Sequence, residues 1–81
     1  MKSIDVMKYK DFYLSSILLA SGVTLLNLEK TDHGFVFFVF DISSEKAESI
    51  ISSHWSRTLK LPTRDIIEAI NELKTRLKSG I

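Results

Sequence analysis

The sequence predicts a small α+β domain. The predicted order is helix, β-hairpin, helix, short third strand and C-terminal helix, with a small antiparallel or mixed sheet packed against the helices. Three observations carry that prediction. Three stretches show apolar residues at three- and four-residue spacing, the mark of an amphipathic helix. Residues 35–40 are an unbroken run of phenylalanine and valine, the strongest β signal in the chain. Between that run and the preceding alternating segment lies Thr31-Asp32-His33-Gly34, which has the chemistry of a turn.

The elements follow in order. Residues 1–9 read as a loosely ordered lead-in. Residues 10–21 read as a helix on the recurrence of Phe12/Tyr13, Ile17 and Ala20, and Gly22 suits a left-handed cap because it has no Cβ to clash. Residues 23–30 read as a strand, with Leu26 and Leu28 on one side and Asn27 and Glu29 on the other. This strand and the next should pair as a hairpin around Gly34. Within residues 35–40, Phe35, Phe37 and Val39 face one way and Val36, Phe38 and Phe40 the other. A strand apolar on both sides is normally covered on both, by helices, a second subunit or a partner.

Asp41, Ser43 and Ser44 are all competent caps for the second helix, and Glu45 complements the dipole of its first turn. That helix carries Ala47, Ile50, Ile51 and His54 on one face and ends near Trp55. Residues 56–61 read as a short strand with Leu59 and Leu61 inward. A helical crossover from the hairpin would make this strand parallel to its predecessor. Pro62 suits the first turn of the last helix, with Leu61 as cap or Thr63 capping one step later. The buried stripe there is Ile66, Ile70, Leu73 and Leu77, and Gly80 stops the helix.

Eighty-one residues suffice for one domain, residues 1–81. At about 0.05–0.15 kcal/mol per residue such a chain holds about 4–12 kcal/mol of stability. The absence of cysteine excludes disulfide scaffolds, zinc ribbons, iron–sulfur centres and thiol enzymes. Neither His33 nor His54 has neighbours at metal-ligand spacing. Ser52 and Ser53 splay away from His54 by about 100° per residue on a helix, so they form no nucleophile–base pair. The chain lacks a glycine-rich phosphate loop. The sequence therefore argues for a protein that is not an enzyme and carries no metal or cofactor.

One segment bears on location. Residues 12–28 hold no charge and follow Lys2, Lys8 and Lys10, near the lower limit of about 17 residues for a membrane span. Ala20-Ser21-Gly22 resembles a signal-peptidase site. Ser15, Ser16, Ser21, Gly22, Thr24 and Asn27 dilute its hydropathy, however, and Asp5 and Asp11 offset the basic lead. A cytoplasmic chain without a membrane association is the expectation.

The net charge of +1 averages unequal parts. Residues 1–53 hold five Lys against seven acids, and residues 54–81 hold six Lys+Arg against three. Two binding readings follow. In the first, Arg57, Lys60, Arg64, Lys74 and Lys78 form a basic face beside Trp55, which binds nucleic-acid phosphates and stacks a base. In the plainer version, the basic residues oppose the helix dipole, Glu72 and Arg76 pair four residues apart, and Trp55 plugs the core. In the second reading the apolar strand face, drawn from Phe35, Val36, Phe37, Phe38, Val39 and Phe40, contacts a partner protein or a second copy as a homodimer.

Two segments also carry a resemblance. They are Lys10-Asp11-Phe12-Tyr13-Leu14 through Leu18-Leu19-Ala20-Ser21-Gly22, and Trp55 followed by Leu59-Lys60-Leu61-Pro62 and residues 66–76, which end in Leu73-Lys74-Thr75-Arg76. Together they resemble a family of short phage, bacterial and archaeal proteins catalogued as a domain of unknown function. The chain departs from that pattern at Tyr9, where a Ser or Thr cap is expected, and at Leu61, where an acid commonly precedes the proline. The resemblance implies an accessory protein of phages or mobile elements that touches nucleic acid or another protein. It brings no site residues.

Overall fold

The computed structural model describes residues 5–79. Within them the chain runs β1 (Val6–Tyr9), α1 (Phe12–Ala20), β2 (Thr24–Lys30), β3 (Val36–Asp41), α2 (Ser44–Trp55) and α3 (Thr63–Lys78). The fold is α+β, with three helices and one three-stranded antiparallel sheet in the order β1-β3-β2. Both outer strands run antiparallel to β3 and hence parallel to each other. With α1 joining them and β3 inserted between, the first half of the chain is a split β-α-β unit. No helix among the described residues is long and apolar enough to cross a membrane.

The third strand is the main departure from the sequence reading. It comes from the lead-in, where Val6–Tyr9 pairs with β3 from Val6↔Asp41 to Tyr9↔Phe38. Residues 56–61 form no strand, and the parallel pairing expected of them does not arise. The reason is local. After α2 the chain makes a double closure in which the Thr58 N–H donates to the Ser53 carbonyl (2.9 Å) and the Arg57 N–H to the His54 carbonyl (3.1 Å). That is a Schellman cap, and it places Arg57 in the left-handed region at φ 65°. The Leu59 N–H is drawn to Ser53 as well (3.0 Å), so the backbone donors a strand would need are already engaged.

The other helix ends follow their side chains. Asp11 caps α1 by accepting from the Leu14 N–H (2.9 Å), which moves the helix start past Lys10 and leaves Tyr9 in a strand. At its far end the Val23 N–H reaches the Leu18 carbonyl and the Gly22 N–H that of Leu19, with Gly22 at φ 95° as expected. Ser43 caps α2 through the Lys46 N–H (3.2 Å). The cap position of α3 is Pro62 itself, which has no side-chain acceptor, so neither Leu61 nor Thr63 serves. Gly80 lies outside the described residues.

One core holds these elements together. Phe40, Leu18, Leu73 and Ala47 are fully buried, joined by Phe38, Leu28 and Ile42. All three helices thus contribute to the face of the sheet that carries Phe38 and Phe40. On α3 the buried positions are Ala69 and Leu73, while Ile66 and Ile70 are half-buried and Leu77 is exposed. On β2 an irregularity between Leu25 and Asn27 shifts the register. Leu25 then opposes Phe40, Leu28 opposes Phe38, and Leu26 bulges out with 45% of its surface exposed, so it does not share the inward side with Leu28.

Candidate functional site

The two residue sets singled out from the sequence are placed differently. Trp55 ends α2 with 68% of its surface exposed and its ring 5.0 Å from that of His54, so it plugs no core. Arg57 occupies the left-handed cap position, and Lys60 is exposed in the connection to α3. Arg64 is tied to Glu68 (2.9 Å), as Arg76 is to Glu72 (3.2 Å), the latter as expected. Lys74 and Lys78 are exposed near the other end of α3. At 1.5 Å per residue, Arg64 and Lys78 stand about 21 Å apart along the helix axis. α2 and α3 have no extensive contact with each other, so Trp55 and Arg57 are not packed against Lys74 and Lys78. At 100° per residue, Arg64, Lys74 and Lys78 fall within about 80° of one another around α3, spread along its length.

The apolar strand divides as its alternation requires. Phe38 and Phe40 enter the core and Val36 packs against it. Phe35, Phe37 and Val39 point to the opposite side of the sheet, where no described helix contributes. Phe35 is 55% exposed, Phe37 is half-buried and Val39 is 3% exposed. The hairpin turn fixes Phe35, whose N–H donates to Thr31 Oγ1 (3.1 Å) and whose carbonyl accepts from the Thr31 N–H (2.8 Å). Gly34 adopts φ 84° to close that turn.

Residues of the N-terminal strand complete this open face. Lys8, paired in register with Val39, reaches across β3 to Glu29 on β2, with Nζ and Oε1 2.9 Å apart. Two residues further on, Lys10 holds its ammonium 4.8 Å from the centre of the Phe35 ring and 5.9 Å from that of Phe37. Lys10 makes no ion pair among the described residues. The aromatic end of the face therefore carries one unpaired cation, while Asp41 lies at the other end beside Val6 and Thr24. Sequence reasoning missed Lys8 because it took residues 1–9 as a lead-in, and Lys10 because it placed that residue at the start of the first helix. The signal was present in the alternation of Val6, Lys8 and Lys10 with Met7 and Tyr9.

The remaining surface offers little chemistry. A groove of about 440 Å³ between the α1–β2 turn and α2 is lined by Ser21, Thr24, Asp41, Lys46 and Ser49 among others. Among the described residues no group of three or more His, Asp or Glu side chains is disposed to hold a metal ion. The Tyr9 phenol is raised above its ordinary value by burial and by the nearby Glu48 carboxylate.

Compared with known proteins, the chain matches no family model, no curated relative and no solved structure.

Proposed function

We propose that the chain is a non-enzymatic accessory binding module, of the phage or mobile-element type its sequence resembles. Its docking surface is the helix-free face of the sheet, and its partner is a nucleic acid. The observation that carries this reading is the triplet Phe35, Phe37 and Lys10, two rings on an open sheet face with an ammonium above both. Aromatic rings beside cations bind nucleotides through stacking and phosphate contact. The C-terminal set of Trp55, Arg57, Lys60, Arg64, Lys74 and Lys78 is the rival surface for the same partner, with more cations spread over a longer stretch of surface.

Fluorescence anisotropy of labelled DNA and RNA, titrated at low and moderate salt, tests the reading. Each phosphate neutralised on a single strand contributes about −0.7 to the slope of log K against log salt. The sheet face, whose one unpaired cation is Lys10, predicts a shallow slope near −0.7 that survives Lys74→Ala and Lys78→Ala. A steep slope abolished by those two substitutions transfers the function to α3. No binding at any salt removes nucleic acid as the partner.

The second reading keeps the face and changes the occupant to a second copy of the chain. Val6 at 40% exposure and Phe35 at 55% favour it, since a sheet face with exposed apolar side chains gains by being covered. Sedimentation at rising concentration decides between them. A dimer dispersed by Phe35→Lys supports self-association, and a monomer throughout excludes it.

A further inference from the structure

We propose that the open sheet face takes single-stranded nucleic acid, with two successive bases stacked on Phe35 and Phe37. This rests on the reading of the sheet face as a nucleic-acid surface and names the form of nucleic acid it selects.

The spacing supplies the first argument. Phe35 immediately precedes β3 and Phe37 is its second residue, and two residues of extended backbone span about 6.6–6.8 Å. Bases along one strand of a duplex repeat every 3.4 Å and cover each other's faces. A duplex cannot lay neighbouring bases on both rings. A single strand can splay its bases to about twice that interval and offer their π faces.

Charge supplies the second. A duplex is held chiefly through phosphates, which calls for many cations in a broad array. This face has two. Lys8 already neutralises Glu29, which would otherwise repel a phosphate, and Lys10 is unpaired and lies directly over the rings. An incoming base displaces the Lys10 ammonium from Phe35, and the freed ammonium meets the phosphate beside that base. Asp41 closes the other end of the face, which confines the contact to about two nucleotides.

Topology supplies the third. β3 is the central strand, the position from which sheets that bind single-stranded RNA present their stacking aromatics. Gly34, Phe35, Phe37 and Phe40 also fall at the glycine and aromatic positions of the sequence pattern such strands carry, while His33, Val36 and Phe38 depart from it.

The test is anisotropy with a labelled oligouridylate, the matching oligothymidylate and a duplex of mixed sequence. The single strands should bind and the duplex should not, and the uridylate and thymidylate arms report whether the ribose 2′-hydroxyl matters. Phe35→Ala should weaken single-strand binding about 5- to 150-fold, the range expected for one lost base stack. Phe35→Tyr should restore it. Phe37→Ala should act similarly, with circular dichroism showing that the half-buried position still folds. Duplex binding as tight as single-strand binding overturns the proposal and leaves the nucleic-acid reading standing. So does full affinity in a folded Phe35→Ala, Phe37→Ala double variant. Failure of every nucleic acid to bind overturns both.

Discussion

Lys8 Nζ and Glu29 Oε1 lie 2.9 Å apart and span the sheet, joining β1 to β2 over the central strand. The register places Lys8 beside Val39 and Glu29 beside Phe37, so the bridge passes over the gap between those two side chains. Val39 is nearly inaccessible although it faces away from the helices. Lys8, its cross-strand neighbour, has an apolar stem of the kind that covers such surface while its charged head stays wet.

That arrangement separates charge from cover. Both partners are about half exposed, so screening limits their coupling to about 0.2–1 kcal/mol. A double-mutant cycle with Lys8→Met and Glu29→Gln, measured by urea denaturation, should give a coupling in that range that falls with added salt. Lys8→Ala should cost more than Lys8→Met, because it also uncovers Val39.

Ser15 is fully buried in α1, and its hydroxyl has no hydrogen-bond partner. It shares a helical face with Leu19, which lines a cleft with Ala69 of α3, so the small side chain lets the two helices approach. An unpaired buried hydroxyl costs about 1–3 kcal/mol. Ser15→Ala keeps the close approach and removes that cost, so chemical denaturation should show a gain of up to about that size. Ser16→Ala lacks this benefit, since Ser16 Oγ already donates to the Phe12 carbonyl at 2.9 Å.

Arg57 holds a backbone conformation suited to glycine, at φ 65°. The left-handed region costs an L residue roughly 1–2 kcal/mol, partly offset by the extra freedom glycine has when unfolded. Arg57→Gly should therefore stabilise by about 1 kcal/mol, which in a domain of this size raises Tm by about 4–8 °C. The same substitution leaves the sheet face untouched, so nucleic-acid affinity should not change.

Much of the fold was legible because local chemistry and packing agree. The cap on Gly22, the turn at Gly34, the alternation of residues 35–40 and the Ser43 cap all follow from side chains that suit their backbone. What misled was segment 56–61, whose alternating leucines imitate a strand while Ser53 claims its amides. The true third strand, Val6–Tyr9, holds only four residues, too few for alternation to stand out. The candidate site went unread for the same reason. Phe35 and Phe37 were visible as strand residues, but their partners Lys8 and Lys10 acquire meaning only once β1 is paired with β3.

Tyr9 gives the alkaline limb of stability a source. Its raised phenol pKa means the folded state holds the proton more tightly than the unfolded chain does. The associated stability is complete below the ordinary tyrosine value of about 10 and is lost as pH rises through the folded value. Thermal denaturation followed above pH 9 or so should show Tm falling with pH. Tyr9→Phe should flatten that fall.

The most direct test of the sheet-face account is mapping of backbone amide chemical shifts on saturation with a short oligouridylate. The account predicts perturbations concentrated at Lys8, Lys10, Phe35 and Phe37 and at the turn that holds Phe35, with α3 unmoved. Shifts centred on Trp55, Arg57 and Lys60 or on Lys74 and Lys78, with the sheet silent, would contradict it.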